Sequence, residues 1–286
     1  MAEEFVLMTV HAHPDDESSK GAGTVARYAA DGVRSVLVCC TGGEQGDILN
    51  PALDRDDVRK DIAAFRRKEL DAATAIIGYS AVEMLGYEDS GMAGTVANEN
   101  LACFARADAS EAIERLVRLI RRHKPHVLVT YGDDQELYPH PDHLRVHDIS
   151  IAAFDAAADL VAYPDSGKPW RVSKLYYSTF PVRKLQMLHE ELVRRGEETP
   201  FPPEILDMPH NDDAITTRVD ISGYEDVSRD ALRAHATQID PNSALWFSIF
   251  PEIEKKLGLF DDYVLARSHV DSNERNGDLF DGLRGE

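Results

Sequence analysis

The stretch Phe5-Val6-Leu7-Met8-Thr9-Val10-His11-Ala12-His13-Pro14-Asp15-Asp16-Glu17-Ser18 decides the fold. Its first half is an apolar run of strand length that stops at a His-Pro, so it reads as a buried strand. Its second half packs imidazoles and carboxylates into a turn. A helical pattern then runs from Ser18 to Asp31 and closes at Gly32, a common stop residue. The same unit recurs downstream. Strands are expected at Arg34 to Thr41, Ala81 to Leu85 and His126 to Tyr131. Helices are expected at Asp56 to Ile77, Asp108 to Lys124 and Asp142 to Leu160. Strand, loop and helix in repetition predict a Rossmann-like α/β fold, a mostly parallel sheet with helices on both faces. Ligands of such sheets sit at the carboxyl ends of the strands, here after His11, Thr41, Leu85 and Tyr131.

Beyond residue 165 the pattern is less regular. Strands at Lys174 to Ser178 and Ile215 to Asp220, with helices at Val182 to Arg195 and Tyr224 to Gln238, predict a smaller α+β part over 166–270 that completes the substrate pocket. The proline-containing stretch Gly196 to Asp213 reads as a long loop or lid. Residues 271–286 are polar and glycine-containing and are expected to form a flexible tail.

Composition narrows the partners. Of 286 residues 43% are apolar and 29% charged, which suits a folded globular chain. Acids outnumber bases 51 to 31, and that net negative charge, with no Lys/Arg-rich stretch, opposes binding to nucleic acid or anionic lipid. The N-terminus lacks the basic residues and long apolar run of an export signal, and no stretch approaches a spanning length. Cys39, Cys40 and Cys103 are odd in number and two are adjacent, so they read as reduced core residues of a cytoplasmic protein. Oligomeric state is left open.

The chemistry concentrates in two loops. In His13-Pro14-Asp15-Asp16, His13 and Asp16 lie three apart, close enough for a tight turn to aim both at one point. Imidazole plus carboxylate is a ligand set for zinc or ferrous iron. Capping of the following helix by Asp15, Asp16 and Ser18 is the alternative. In Tyr138-Pro139-His140-Pro141-Asp142-His143 the His-Pro-Asp theme repeats after another strand. Two such clusters at strand ends would converge on one crevice, with His143 as third ligand. Two histidines and one carboxylate leave an open position, as in catalytic sites. His147, one turn beyond His143, is a further ligand, a support behind the site or a surface residue. A divalent metal there would acidify water and polarise a carbonyl oxygen. Asp15 would be the general base and then carry the proton to a leaving amine. His140, if protonated, would stabilise the oxyanion, and Tyr138 could donate a hydrogen bond to the same oxygen. The reaction class is hydrolysis of an amide or ester. A non-catalytic sugar- or metal-binding module is the rival, but it gives Asp15 and His140 nothing to do. A nucleotide site is disfavoured because no Gly-x-Gly-x-x-Gly follows the first strand.

These motifs resemble the LmbE-like family of zinc-dependent deacetylases, which includes the enzyme that deacetylates N-acetylglucosaminyl-phosphatidylinositol. Thr41-Gly42-Gly43-Glu44, Arg66-Arg67-Lys68-Glu69-Leu70 and Gly86-Tyr87-Glu88-Asp89-Ser90-Gly91-Met92 resemble its actinobacterial mycothiol branch. The resemblance implies one divalent metal, zinc or Fe2+, on His13, Asp16 and His143, with Asp15 as base and His140 and Tyr138 serving the transition state. It implies sugar and inositol contacts from Glu44, Arg66 and Asp89, with Met92 lining the pocket, while Asp142 orients a neighbouring histidine. The branch has two activities: cleavage of the amide between glucosamine and the S-substituted N-acetylcysteine of mycothiol conjugates, and deacetylation of N-acetylglucosaminyl-inositol. Lys20 and the loop Asp47 to Asp54 resemble the first, so the expected substrate is a small thiol-sugar conjugate and the expected role detoxification.

Overall fold

The computed structural model describes residues 4–133, 139–199, 201–247, 251–273 and 275–284. The strands are β1 (Val6–His11), β2 (Arg34–Thr41), β3 (Ala81–Tyr87), β4 (Val127–Tyr131), β5 (Lys174–Thr179), β6 (Thr217–Asp220) and β7 (Phe260–Ser268). The longer helices are α1 (Ala22–Ala30), α2 (Ile62–Ile77), α3 (Ala109–His123), α4 (Pro141–Ala156), α5 (Val182–Arg195) and α6 (Glu225–Ala234). The strands form one sheet in the order β3-β2-β1-β4-β5-β7-β6. β1 to β5 run parallel, and β7 pairs antiparallel with both β5 and β6. This is the expected α/β architecture, and the irregular C-terminal part extends the same sheet.

Side-chain alternation sorts the core into two layers. Val6, Met8 and Val10 of β1, with Val36, Val38 and Cys40 of β2, face α3 and α4 through Leu116, Ile120, Val146 and Phe154. Leu7 of β1 and Val127 and Val129 of β4 face the other way, toward Val25 and Tyr28 of α1, Ala73 and Ile77 of α2, and Ala231 of α6. The three cysteines are free and buried.

The structure departs from the sequence expectations at four places. The helix expected from Ser18 is broken into a single turn, Asp16–Ser19, and α1, because Gly21 has φ of 99° and a Cβ there would lie 2.5 Å from the Tyr263 hydroxyl. The helix expected from Asp56 breaks at Asp61, whose φ is −143° and ψ 48°. β7 was hidden by its acidic start: half-buried Asp261 accepts hydrogen bonds from the Thr24 backbone N–H (2.9 Å) and hydroxyl (2.8 Å), capping α1 from a distant strand. The polar end beyond Asp271, read as a tail, turns back into the core. Leu279 and Phe280 are fully buried, the Tyr28 hydroxyl donates to Asp278 (2.7 Å), and Asn276 bridges to Thr217 of β6.

Candidate metal centre

All four loops singled out by the strand-end rule meet. The loop after β1 brings His13, Asp15 and Asp16, that after β2 Glu44, that after β3 Asp89, and that after β4 His140, Asp142 and His143. His13, Asp16, Asp89, His140, Asp142 and His143 are all buried. Their ligand atoms form two overlapping groups that could hold a metal, His13–Asp16–His143 and His13–Asp89–His140–Asp142. Asp16 is central to the first, with Oδ2 3.6 Å from His13 Nδ1 and Oδ1 3.4 Å from His143 Nε2.

The hydrogen bonds distinguish the two groups. Asp142 is fully buried and its oxygens are already engaged: the Ser90 hydroxyl donates to Oδ1, the Ser90 N–H donates to Oδ2 (3.0 Å), and His13 Nε2 lies 3.2 Å from Oδ2. Asp89 accepts from the N–H groups of Gly91 (2.8 Å) and Gln45 (3.2 Å). A carboxylate on His13 Nε2 orients the ring and leaves Nδ1 facing Asp16, the usual support of a histidine ligand. Three carboxylates therefore surround the His13 imidazole. Burial would lower its pKa, yet hydrogen bonds to Asp142, Asp16 and Asp89 hold it well above the ordinary value. Asp16 is held well below the carboxylate range despite burial, first by Lys20. A site that draws a proton onto a buried imidazole suits a divalent cation in that proton's place. The donor set fits the expected metal.

Asp15 stands beside this group in a strained conformation, φ 116° and ψ −27°. Burial raises its pKa, against the opposing charge of Arg66. Arg66 is 2% exposed and its guanidinium is committed: it donates to the Pro14 and Gly43 carbonyls and to Asp15 Oδ2 (3.0 Å). Its visible role is to tie the β1 and β2 loops together and hold Asp15. Lys20 likewise turns inward, with Nζ 2.6 Å from Asp16 Oδ1. Glu44 Oε1 accepts from the Asp89 N–H (3.0 Å), while Met92 is 41% exposed on the following turn. Tyr138 lies outside the described residues.

His140 differs from expectation in charge. Burial, then the nearby His13, pushes its pKa down to about 4, so it is neutral near pH 7. Its Nδ1 accepts from the Asp142 N–H (3.2 Å), which places the ring proton on Nε2, 4.0 Å from Asp89 Oδ1. A neutral Nε2–H donor replaces the imidazolium. His147 belongs to neither candidate group, and its Nδ1 is bonded to the Tyr131 carbonyl (2.9 Å). His11 is buried against the Tyr131 hydroxyl (3.0 Å).

Sequence reading missed Glu17 and His235. Both are fully buried and bonded to each other, Glu17 Oε1 to His235 Nε2, at 2.7 Å. Burial would raise Glu17, but the charge and hydrogen bond of His235 hold it below its usual value. An acid beside the His-Pro-Asp-Asp turn was the available signal, but its partner is 218 residues away.

A buried imidazole–carboxylate cluster at the carboxyl ends of a mostly parallel sheet defines the class: a Rossmann-like α/β protein with a candidate metal centre. The chain belongs to the PIG-L family, whose model, described as GlcNAc-PI de-N-acetylase, matches residues 8–154. It is 41% identical to the mycothiol S-conjugate amidase of Streptomyces coelicolor, over 99% of each chain. It is 37% identical to the 1D-myo-inositol 2-acetamido-2-deoxy-alpha-D-glucopyranoside deacetylase of Streptomyces scabiei, over 98% of this chain and 90% of that one. Among solved structures, the N,N'-diacetylchitobiose deacetylase of Pyrococcus horikoshii matches with a TM-score of 0.65, covering 92% of this chain and 84% of that one. At 16% identity that likeness speaks for the fold alone.

Proposed function

We propose that the chain is a metal-dependent amidase that hydrolyses the amide between glucosamine and the S-substituted N-acetylcysteine of mycothiol S-conjugates, giving a mercapturic acid and glucosaminyl-inositol. The observation that carries the chemistry is the convergence of His13, Asp16 and His143 with Asp15 held beside them. His13, Asp16 and His143 would hold the metal, zinc or Fe2+, which when bound supplies Lewis acidity toward an amide carbonyl and acidifies water. Asp15 takes the proton of the attacking water. Its partial burial favours this, because a carboxylate raised from its ordinary pKa is a stronger base. The same carboxyl then returns the proton to the departing amine. His140 Nε2–H donates to the carbonyl oxygen as negative charge develops there. Asp142 keeps His13 in one tautomer, and Arg66 keeps the Asp15 carboxylate in place.

The full-length similarity to the S. coelicolor amidase favours the conjugate. Glu44, Asp89 and Met92 are proposed to meet sugar and inositol, and Lys20 the acyl group, where a metal on Asp16 would compete for the oxygen that Lys20 now holds. The deacetylase reading is favoured by relatives such as that of Thermobifida fusca, 42% identical over 82% of this chain. Side-by-side turnover of a bimane conjugate of mycothiol and N-acetylglucosaminyl-inositol separates them. Faster turnover of the conjugate is expected; faster turnover of the acetylated sugar would establish the other.

A further inference from the structure

His235 is a polar side chain placed where an apolar one would pack. It lies at the end of α6, is 0% exposed, and among the described residues its one side-chain hydrogen bond goes to Glu17. Glu17 uses its other oxygen to accept the backbone N–H of Asp15 at 2.9 Å. That N–H belongs to the residue with φ of 116°, a region that non-glycine residues occupy only when the surroundings over-determine it. The turn that carries His235 is itself fixed. Glu69 of α2 accepts from the Thr237 N–H (2.8 Å) and hydroxyl (2.6 Å), and the Gln238 and Ile239 N–H groups both close on the His235 carbonyl at 3.0 Å. α2 also carries Arg66, which reaches Asp15 from the carboxylate side. Besides the Ser18 and Ser19 N–H groups on its carbonyl, Asp15 is thus held by its carboxylate through Arg66 and by its N–H through Glu17, whose Oε1 meets both His235 and the Ser18 hydroxyl. A buried charge-capable pair is weak evidence for stability, since apolar replacements often serve as well. Its placement at the strained peptide of the base is the more telling feature.

We propose that His235 is a positioning residue for the hydrolysis: by holding Glu17 it fixes the Asp15 peptide, and so the point from which the Asp15 carboxyl reaches the attacking water. The proposal rests on the reading of Asp15 as the base. The test uses the full chain, loaded with zinc, on whichever amide substrate the parent turns over. His235→Ala is expected to lower kcat roughly ten- to hundredfold, the scale of a misplaced catalytic group. KM, and the zinc dissociation constant measured by competition with a chelating dye, should stay within about threefold. His235→Gln, whose amide can still donate to Glu17, should recover most of the loss. Should alanine prevent folding, His235→Leu fills the volume without a donor and is read in the same way. A folded donor-less variant with parental kcat overturns the proposal. So does a loss that tracks weakened zinc binding, or a glutamine variant as impaired as the alanine one. Asp15→Ala in the same assay separates the two readings: parental turnover there would remove Asp15 as base, and with it this proposal.

Discussion

Asp15 offers a direct measure of strain at the site. At φ 116° an alanine would keep the backbone cost of the left-handed region, about 1–3 kcal/mol. Glycine escapes that cost but loses about 0.5–1 kcal/mol more conformational entropy on folding. Both substitutions delete the carboxylate, so the lost contact to Arg66 cancels between them. Asp15→Gly should therefore be more stable than Asp15→Ala by about 1 kcal/mol. The corresponding difference in Tm is about 2 °C for a chain of 286 residues. Urea and thermal unfolding with a chelator present would measure this free of metal linkage. An alanine variant equal to or more stable than the glycine variant would show that the turn relaxes, and that Glu17 does not hold it.

Three further outcomes are expected. Arg66→Lys offers one ammonium where the guanidinium serves Pro14, Gly43 and Asp15, so urea unfolding should show a loss of about 2–4 kcal/mol. Phe280→Ala should cost about 3–5 kcal/mol in the same assay, because that side chain is fully buried; an unchanged midpoint would restore the tail as a frayed end. Metal binding near pH 7 should release about one proton, since the raised pKa keeps metal-free His13 protonated there and a metal must displace that proton. Affinity should accordingly fall as pH falls through the range where metal-free His13 binds its proton. Calorimetry in buffers of different ionisation enthalpy would read the release, and proton-neutral binding would contradict it.

What the sequence disclosed depended on distance along the chain. The run from Phe5 to His11 and the spacing of His13 with Asp16 are local signals, and the structure has them as β1 and two of the three residues of a candidate metal group. His143 was accessible because its own loop repeats the pattern. Gly78 ends α2 as its position predicts. Contacts across the fold left no such trace. Asp261 looks like a strand breaker until Thr24 is seen donating to it, and His235 looks solitary until Glu17 is found beside it. Arg66 was identified as a site residue, but its three acceptors lie on two different loops, which only the folded chain brings together. His140's charge depends on burial, a property of the assembled pocket.

The returning C-terminal segment has a consequence for how the protein coexists with copies of itself. β6, at one border of the sheet, is four residues long, and Asn276 takes up its outward backbone groups: the Arg218 N–H donates to the Asn276 carbonyl, and the Asn276 N–H to the Thr216 carbonyl, both at 3.0 Å. At the opposite border the chain just past β3 is bridged by Cys103 at Glu88. Open sheet borders are templates for strand addition between molecules. A segment that in sequence looks dispensable thus shields one such border, and its removal would expose the unpaired outer edge of β6 to neighbouring chains in solution.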